Sequence, residues 1–114
     1  MVTFAVGNVV VVPFPFSDLS QNKKRPALVL ANVGHNDWVC LQITSKPYAD
    51  QAAICLLEHD FAQGSLQRQS FIRPGKIFTA HESLFLCSVG SLRDEKFREV
   101  RQAVIRLIEQ GALR

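Results

Sequence analysis

The sequence has few of the features that mark secreted, membrane or metal-binding proteins. Its 114 residues include an odd number of cysteines, at Cys40, Cys55 and Cys87. Their wide spacing and apolar neighbours predict buried, reduced thiols rather than disulfides, as expected of a protein in the reducing cytoplasm. No Cys/His spacing is typical of a metal site, so we expect no metal and no other cofactor.

Long uninterrupted apolar runs are also missing. The first residues, MVTFAVGNVVVVPFPF, lack a basic segment, and Asn8 and Pro13 interrupt the apolar ones. We therefore expect neither a signal peptide nor a membrane span. Repeats and low-complexity segments are absent too, and the length suits a single domain over residues 1–114. The net charge of +3 permits a nucleic-acid partner without requiring one.

Short apolar segments separated by turn residues predict a mainly β protein. The expected strands cover residues 8–14, 26–32, 38–44, 52–57, 70–73 and 84–89. The Pro74-Gly75 pair is expected to end the fifth of these strands. The segment between the fourth and fifth strands is polar and is expected to be irregular.

The end of the chain follows a different period. Apolar residues recur at helical spacing after Asp94, at Phe97, Val100, Val104, Leu107 and Ile108. Asp94 suits the start of a helix and Gly111 its end. The expected fold is therefore a small antiparallel β-barrel with a C-terminal amphipathic helix.

A basic cluster stands directly before the second expected strand, in QNKKRPALVLAN. With a turn over residues 33–36, the numbers of facing residues in the hairpin add to 69, so Arg25 faces Thr44 at a Cβ separation of about 5 Å. Neighbouring polar side chains at this end of the hairpin are those of Lys23, Lys24, Ser45 and Lys46.

This set of groups suits a phosphodiester. The arginine fork matches phosphate oxygens, a threonine hydroxyl can donate a hydrogen bond, and lysines attract a polyanion. Arg73 and Lys76, in SFIRPGK, are further candidates for the same patch. The alternative is that all of these are loop-end residues held in water, and the spacing alone leaves both interpretations open.

Four blocks in order make the sequence resemble the MazF/PemK toxins of type II toxin–antitoxin systems. They are GNVVVVPFPFSDLSQNKKRPALVLAN, LQITSK, SFIRPGKIFT and VGSL, the last standing before the terminal helix. The resemblance extends over nearly the whole chain, and KRPALVL followed by QITSK is its most specific part.

The resemblance implies an SH3-like barrel that forms a homodimer and cuts single-stranded RNA without metal. In such toxins the RNA's own 2′-hydroxyl attacks, leaving a 2′,3′-cyclic phosphate and a 5′-hydroxyl. The catalytic arginine and threonine of the family fall on Arg25 and Thr44. Loop 15–24 corresponds to one that borders the RNA site, and a cognate antitoxin protein is expected to block that site.

One departure bears on the mechanism. Some family members carry an aspartate two residues after the arginine that matches Arg73, and this chain has Gly75 there. Arg25 could stabilise charge on the phosphorane or act as the base, although the unperturbed arginine pKa of about 12.5 suits the first role better. The general base stays unassigned.

Two other functions remain open. Proteins of this fold include toxins that bind DNA gyrase and do no chemistry, which would not need Arg25. A family member that binds RNA without cutting it is the second alternative, and the missing aspartate keeps it open.

Overall fold

A computed structural model describes residues 3–14, 23–47 and 50–112. It contains seven strands and one α-helix. The strands are β1 (Asn8–Phe14), β2 (Lys23–Gly34), β3 (Asp37–Thr44), β4 (Ile54–Leu56), β5 (Phe61–Gly64), β6 (Ser70–His81) and β7 (Cys87–Leu92), followed by the helix α1 (Asp94–Gln110). Single 3₁₀ turns cover Glu58–Asp60 and Glu82–Leu84.

The strands form one curled antiparallel sheet. Their order across it is β4-β6-β3-β2-β1-β7-β5, and each adjacent pair runs antiparallel. The predicted class, a mainly β antiparallel fold with a C-terminal amphipathic helix, is confirmed. The longest strands, β2, β3 and β6, lie side by side in its interior.

Each face of the sheet carries an apolar cluster because side chains alternate along a strand. The first core, under α1, consists of Val9, Leu28, Leu41, Ile43, Leu56, Phe61, Ile72, Leu92 and Val100. The second core, on the other face, consists of Val10, Val12, Ala27, Val29, Trp38, Cys40, Ala80 and Phe85. Full burial stabilises each large apolar side chain by about 1.5–3 kcal/mol, so β2 and β3 are fixed from both sides.

The helix begins and ends as its sequence predicts. Asp94 is its first residue, and Gly111 follows its last turn at φ 74°, donating its N–H to the Leu107 carbonyl. Val100 is fully buried in the first core. Ile108, expected on the buried face, lies in the last turn of α1 and is instead 67% exposed. No helix in the described ranges has the length and apolarity to span a membrane.

Several expectations about the other segments are wrong. Pro74 and Gly75 do not end a strand, because β6 continues through them to His81 with a register irregularity. The segment expected to be irregular contains β5, whose residues after Phe61 are exposed and are held by backbone pairing with β7. The cysteines are unpaired as expected, but only Cys40 is buried. Cys55 is half-buried and Cys87 is exposed.

Candidate functional site

The hairpin of β2 and β3 sets the position of the candidate site. Its turn is His35 and Asn36, both at positive φ, and β2 continues to Gly34, so the turn is shorter than the expected 33–36. Two register irregularities follow, and in the interior of the hairpin Val29 pairs with Cys40 and Ala27 with Gln42. The numbers of these partners add to 69, the register predicted from sequence.

Thr44 lies at the end of this hairpin between two arginine-bearing strands. Continuing the register two residues past Ala27 and Gln42 leads to Arg25 on one side of Thr44. On the other side Thr44 pairs directly with Phe71 of β6. Arg73, two residues along β6, shares a face with Phe71 by strand alternation. The strands on both sides of Thr44 therefore each carry an arginine, at positions that alternation assigns to the second-core face of the sheet.

The Thr44 hydroxyl is engaged in the fold. Thr44 is 5% exposed. Its Oγ1 accepts the Lys46 N–H over 3.1 Å and donates to the Lys46 carbonyl over 3.0 Å. These bonds fix the chain as it leaves β3, so that Ser45 and Lys46 are exposed at the strand end. Thr44 is thus a structural residue of this strand end, next to the exposed Ser45 and Lys46.

Arg73 is held by a partner that the sequence does not indicate. Its Nε donates to Oδ2 of Asp50 over 2.6 Å. Asp50 lies beyond the end of β3, and its other oxygen, Oδ1, accepts the Ala52 N–H over 3.1 Å. The side chains of Arg73 and Asp50 are 23% and 9% exposed. The pair thus joins the segment after β3 to β6.

A cleft of about 260 Å³ opens at the same strand ends. Lys24, Arg25 and Ser45 line it together with Arg68 and Ser70. Alternation along β2 directs Lys24 to the face opposite that of Arg25, so the basic cluster lies on both sides of the strand end. Arg68 was missed from sequence because it lies in the polar segment before β6, with no periodicity to orient it.

The remaining predicted residues are dispersed. Lys23 and Lys76 are exposed. Lys23 lies on β2 two residues before Arg25, whereas Lys76 lies in the irregular part of β6. Most of the expected loop 15–24, residues 15–22, lies outside the described residues. Within the described ranges, no three His, Cys, Asp or Glu side chains converge as metal ligands do.

Solved structures share this fold. An endoribonuclease in complex with its cognate antitoxin, from a mycobacterial species, superposes with a TM-score of 0.73 at 12% identity, over 94% of this chain and 96% of that one. A MazE–MazF complex from Deinococcus radiodurans gives 0.70 at 18% identity, over 95% and 96%. The Mycobacterium tuberculosis toxin MazF-mt6 gives 0.68 at 13% identity, over 90% and 96%.

Comparison with curated protein sequences gave no significant match. Residues 5–108 match the family model of the PemK-like, MazF-like toxins of type II toxin–antitoxin systems. That match covers all seven strands and nearly all of α1, including the parts of β2, β3 and β6 that carry Arg25, Thr44 and Arg73. The four sequence blocks, the curled sheet with its terminal helix and the family match agree: this chain is a member of the PemK-like, MazF-like toxin family.

Proposed function

We propose that this toxin is an endoribonuclease that cuts single-stranded RNA without a metal ion, leaving a 2′,3′-cyclic phosphate and a 5′-hydroxyl. The observation that best supports it is the position of Thr44 between the strands that carry Arg25 and Arg73. Two arginines on the strands that border one threonine suit the phosphodiester of an RNA backbone. The structural neighbours include a protein described as an endoribonuclease.

In the proposed reaction the 2′-hydroxyl oxygen attacks the adjacent phosphorus while the bond from phosphorus to the 5′-oxygen breaks. The proton of the 2′-hydroxyl leaves to a base, and the departing 5′-oxygen gains a proton. Negative charge grows on the non-bridging oxygens, where donors aimed in advance lower the barrier. In this proposal Arg25 supplies such donors, and the general base stays unassigned.

Thr44 has two roles in this proposal. Its hydrogen bonds to Lys46 hold the end of β3 in shape. Its single hydroxyl proton can serve a phosphate oxygen only if it leaves the Lys46 carbonyl, since a hydroxyl carries one donor. The proposal therefore includes exchange of that carbonyl for a phosphate oxygen when RNA binds.

The surrounding cations would bind the backbone on either side of the cut. Lys23 and Lys46 are exposed near Arg25 and Thr44, and the cleft with Lys24, Ser45 and Arg68 extends the basic surface past the strand end. Lys76 would extend it along β6. Bases of single-stranded RNA stay free to be read in such a groove.

In this proposal the antitoxin regulates the toxin at the same site. The structural neighbours include toxins solved with their antitoxins, and we propose that a cognate antitoxin covers the Arg25 face in a homodimer of this chain. A cytoplasmic location would place the toxin beside its messenger RNA substrate.

Incubation of the purified protein with a long RNA in EDTA, followed by sequencing of the ends, tests the proposal. Cleavage at a recurring motif with 5′-hydroxyl ends is expected from the native protein and not from Arg25→Ala. Intact RNA with native protein would overturn the proposal. Measurable RNA affinity without products would favour the RNA-binding alternative, and toxicity that survives Arg25→Ala would favour a gyrase-type toxin.

A further inference from the structure

The ion pair of Asp50 with Arg73 lies at a β6 position two residues from Phe71, the direct partner of Thr44. Both carboxylate oxygens are occupied, Oδ2 by Arg73 Nε at 2.6 Å and Oδ1 by the Ala52 N–H at 3.1 Å. Asp50 also donates its own N–H to the Pro47 carbonyl over 3.0 Å. The carboxylate is therefore a fixed group, anchored by its own turn and aimed at one side-chain nitrogen.

Stability alone is a poor reason for this pair. Removing two charges from water is costly, and apolar replacements of partly buried pairs are often neutral or stabilising. The side chain of Asp50 is only 9% exposed. The apolar residues Ala52 and Ala53 follow it closely in the sequence. What the pair achieves is orientation, because a long arginine side chain loses its rotational freedom when Nε is bound.

The choice of Nε has a chemical consequence. A guanidinium has five N–H donors, and the bond to Asp50 uses the one on Nε. The two terminal amino groups, which carry the other four donors, keep their capacity for a phosphate. Arg73 shares its sheet face with Phe71, the direct partner of Thr44. The fork is thus held on the face where the reacting phosphate is proposed to lie.

We propose that Asp50 is a positioning residue that orients Arg73 toward the RNA phosphate, and that it supplies from the segment after β3 the carboxylate that is absent at Gly75. The inference rests on the proposed function. In this proposal Asp50 acts through Arg73 and is not the base, and each of its oxygens is already held by one hydrogen bond.

A double-mutant cycle on single-turnover cleavage tests this. Asp50→Ala is expected to slow cleavage roughly 10- to 100-fold, the scale of a misplaced catalytic group, and Arg73→Ala at least as much. In the Arg73→Ala background, the added Asp50→Ala is expected to change the rate less than about twofold, because residues acting as one unit are non-additive. If the fold-losses of the two single variants multiply in the double variant, the proposal is overturned.

The pH dependence separates positioning from proton transfer. Asp50→Asn keeps an acceptor for Arg73 Nε and is expected to recover much of the rate lost in Asp50→Ala, with the native shape of the pH–rate profile. Loss of the acid limb of that profile in Asp50→Asn, at full retention of folding, would identify Asp50 as the base and overturn the positioning role.

A second ion pair serves as the matched control. Asp60 and Lys96 lie 3.6 Å apart with side chains 13% and 14% exposed, on the β5 and α1 side of the molecule. Asp60→Ala is expected to lower the melting temperature without a change in cleavage rate per folded molecule. An equal loss of rate in Asp60→Ala and Asp50→Ala would reduce the effect of Asp50 to stability and overturn the proposal.

Binding of a 2′-O-methyl RNA, which cannot be cut, distinguishes the two proposals. If native protein leaves natural RNA intact, the proposed function fails. The same double-mutant cycle, measured as dissociation constants for the 2′-O-methyl RNA, still decides the role of Asp50. Non-additive losses of affinity are expected. Additive losses, or native affinity in Arg73→Ala, would overturn the inference whatever the outcome for cleavage.

Discussion

Thr44 donates the proton of its hydroxyl to the Lys46 carbonyl over 3.0 Å and accepts the Lys46 N–H over 3.1 Å. The residue at the centre of the proposed site is therefore also a structural residue. Any substitution of Thr44 changes both the shape of the strand end and the chemistry beside it, and the two effects need to be measured separately.

Thr44→Val is expected to abolish cleavage and to lower the free energy of unfolding by about 1–3 kcal/mol, the cost of leaving a polar backbone group unpaired. Thr44→Ser keeps the hydroxyl and is expected to retain both stability and most of the activity. Denaturant unfolding and cleavage rates of the two variants check this. Equal activity in Thr44→Val and native protein would remove Thr44 from the mechanism.

Arg68 is expected to bind an RNA phosphate from its place in the cleft with Lys24 and Ser45. Loss of one phosphate contact to a single strand reduces the slope of log affinity against log salt concentration by about 0.7. Arg68→Ala is expected to show that reduction. Arg98→Ala, which removes an exposed arginine of α1, is the control and is expected to keep the native slope. Identical slopes for both variants would exclude Arg68 from the RNA path.

Two glycines with the same φ angle differ in the space that they leave for a side chain. Gly64 and Gly111 both lie at φ 74°, but a Cβ on Gly64 would meet the Val89 carbonyl oxygen at 2.0 Å, whereas one on Gly111 meets nothing within 4 Å. Gly111→Ala is expected to cost about 1–2 kcal/mol for the left-handed conformation alone. Gly64→Ala is expected to cost more, because β5 must also move away from β7. Equal unfolding free energies for the two variants would contradict this packing.

Ionisation of Cys40 makes the free energy of unfolding depend on pH in the alkaline range. Burial raises the pKa of its thiol from 9.0 to about 12, so the folded chain holds this proton more tightly than the unfolded chain. The contribution of this thiol to the free energy of unfolding is complete below pH 9. It is lost as pH rises toward 12, at up to about 1.4 kcal/mol per pH unit. Denaturant unfolding of native protein and Cys40→Ala across this range is expected to show the steeper decline in the native protein. Parallel curves would contradict a buried thiol.

The sequence predicted the register at the site better than it predicted the turn. Gly34 pairs with Asp37, so counting from the true turn without irregularities would bring Arg25 opposite Lys46 rather than Thr44. Two register irregularities shift the pairing back. Such irregularities depend on backbone twist that residue types do not reveal. The sum of 69, counted from a turn over 33–36, holds in the interior of the hairpin because the irregularities offset the shift of the turn.

Other parts of the structure could not be predicted from the sequence, for physical reasons. The contact between Asp50 and Arg73 joins residues 23 positions apart through a segment without periodicity. Strand β5 lacks an alternating apolar pattern because its contacts are mostly backbone bonds to β7. In contrast, β1 and α1 were predicted closely, since burial fixes their patterns.

The central claim is that Arg25 promotes attack by the RNA's own 2′-hydroxyl. Its most direct test is single-turnover cleavage, in EDTA, of an oligonucleotide with one cleavage site that carries either ribose or 2′-deoxyribose there. Native protein and the control Arg98→Ala are expected to cut only the ribose form, leaving a 2′,3′-cyclic phosphate, and Arg25→Ala to be slower by roughly 100-fold or more. Cleavage of the deoxy form, or native rates in Arg25→Ala, would contradict the claim.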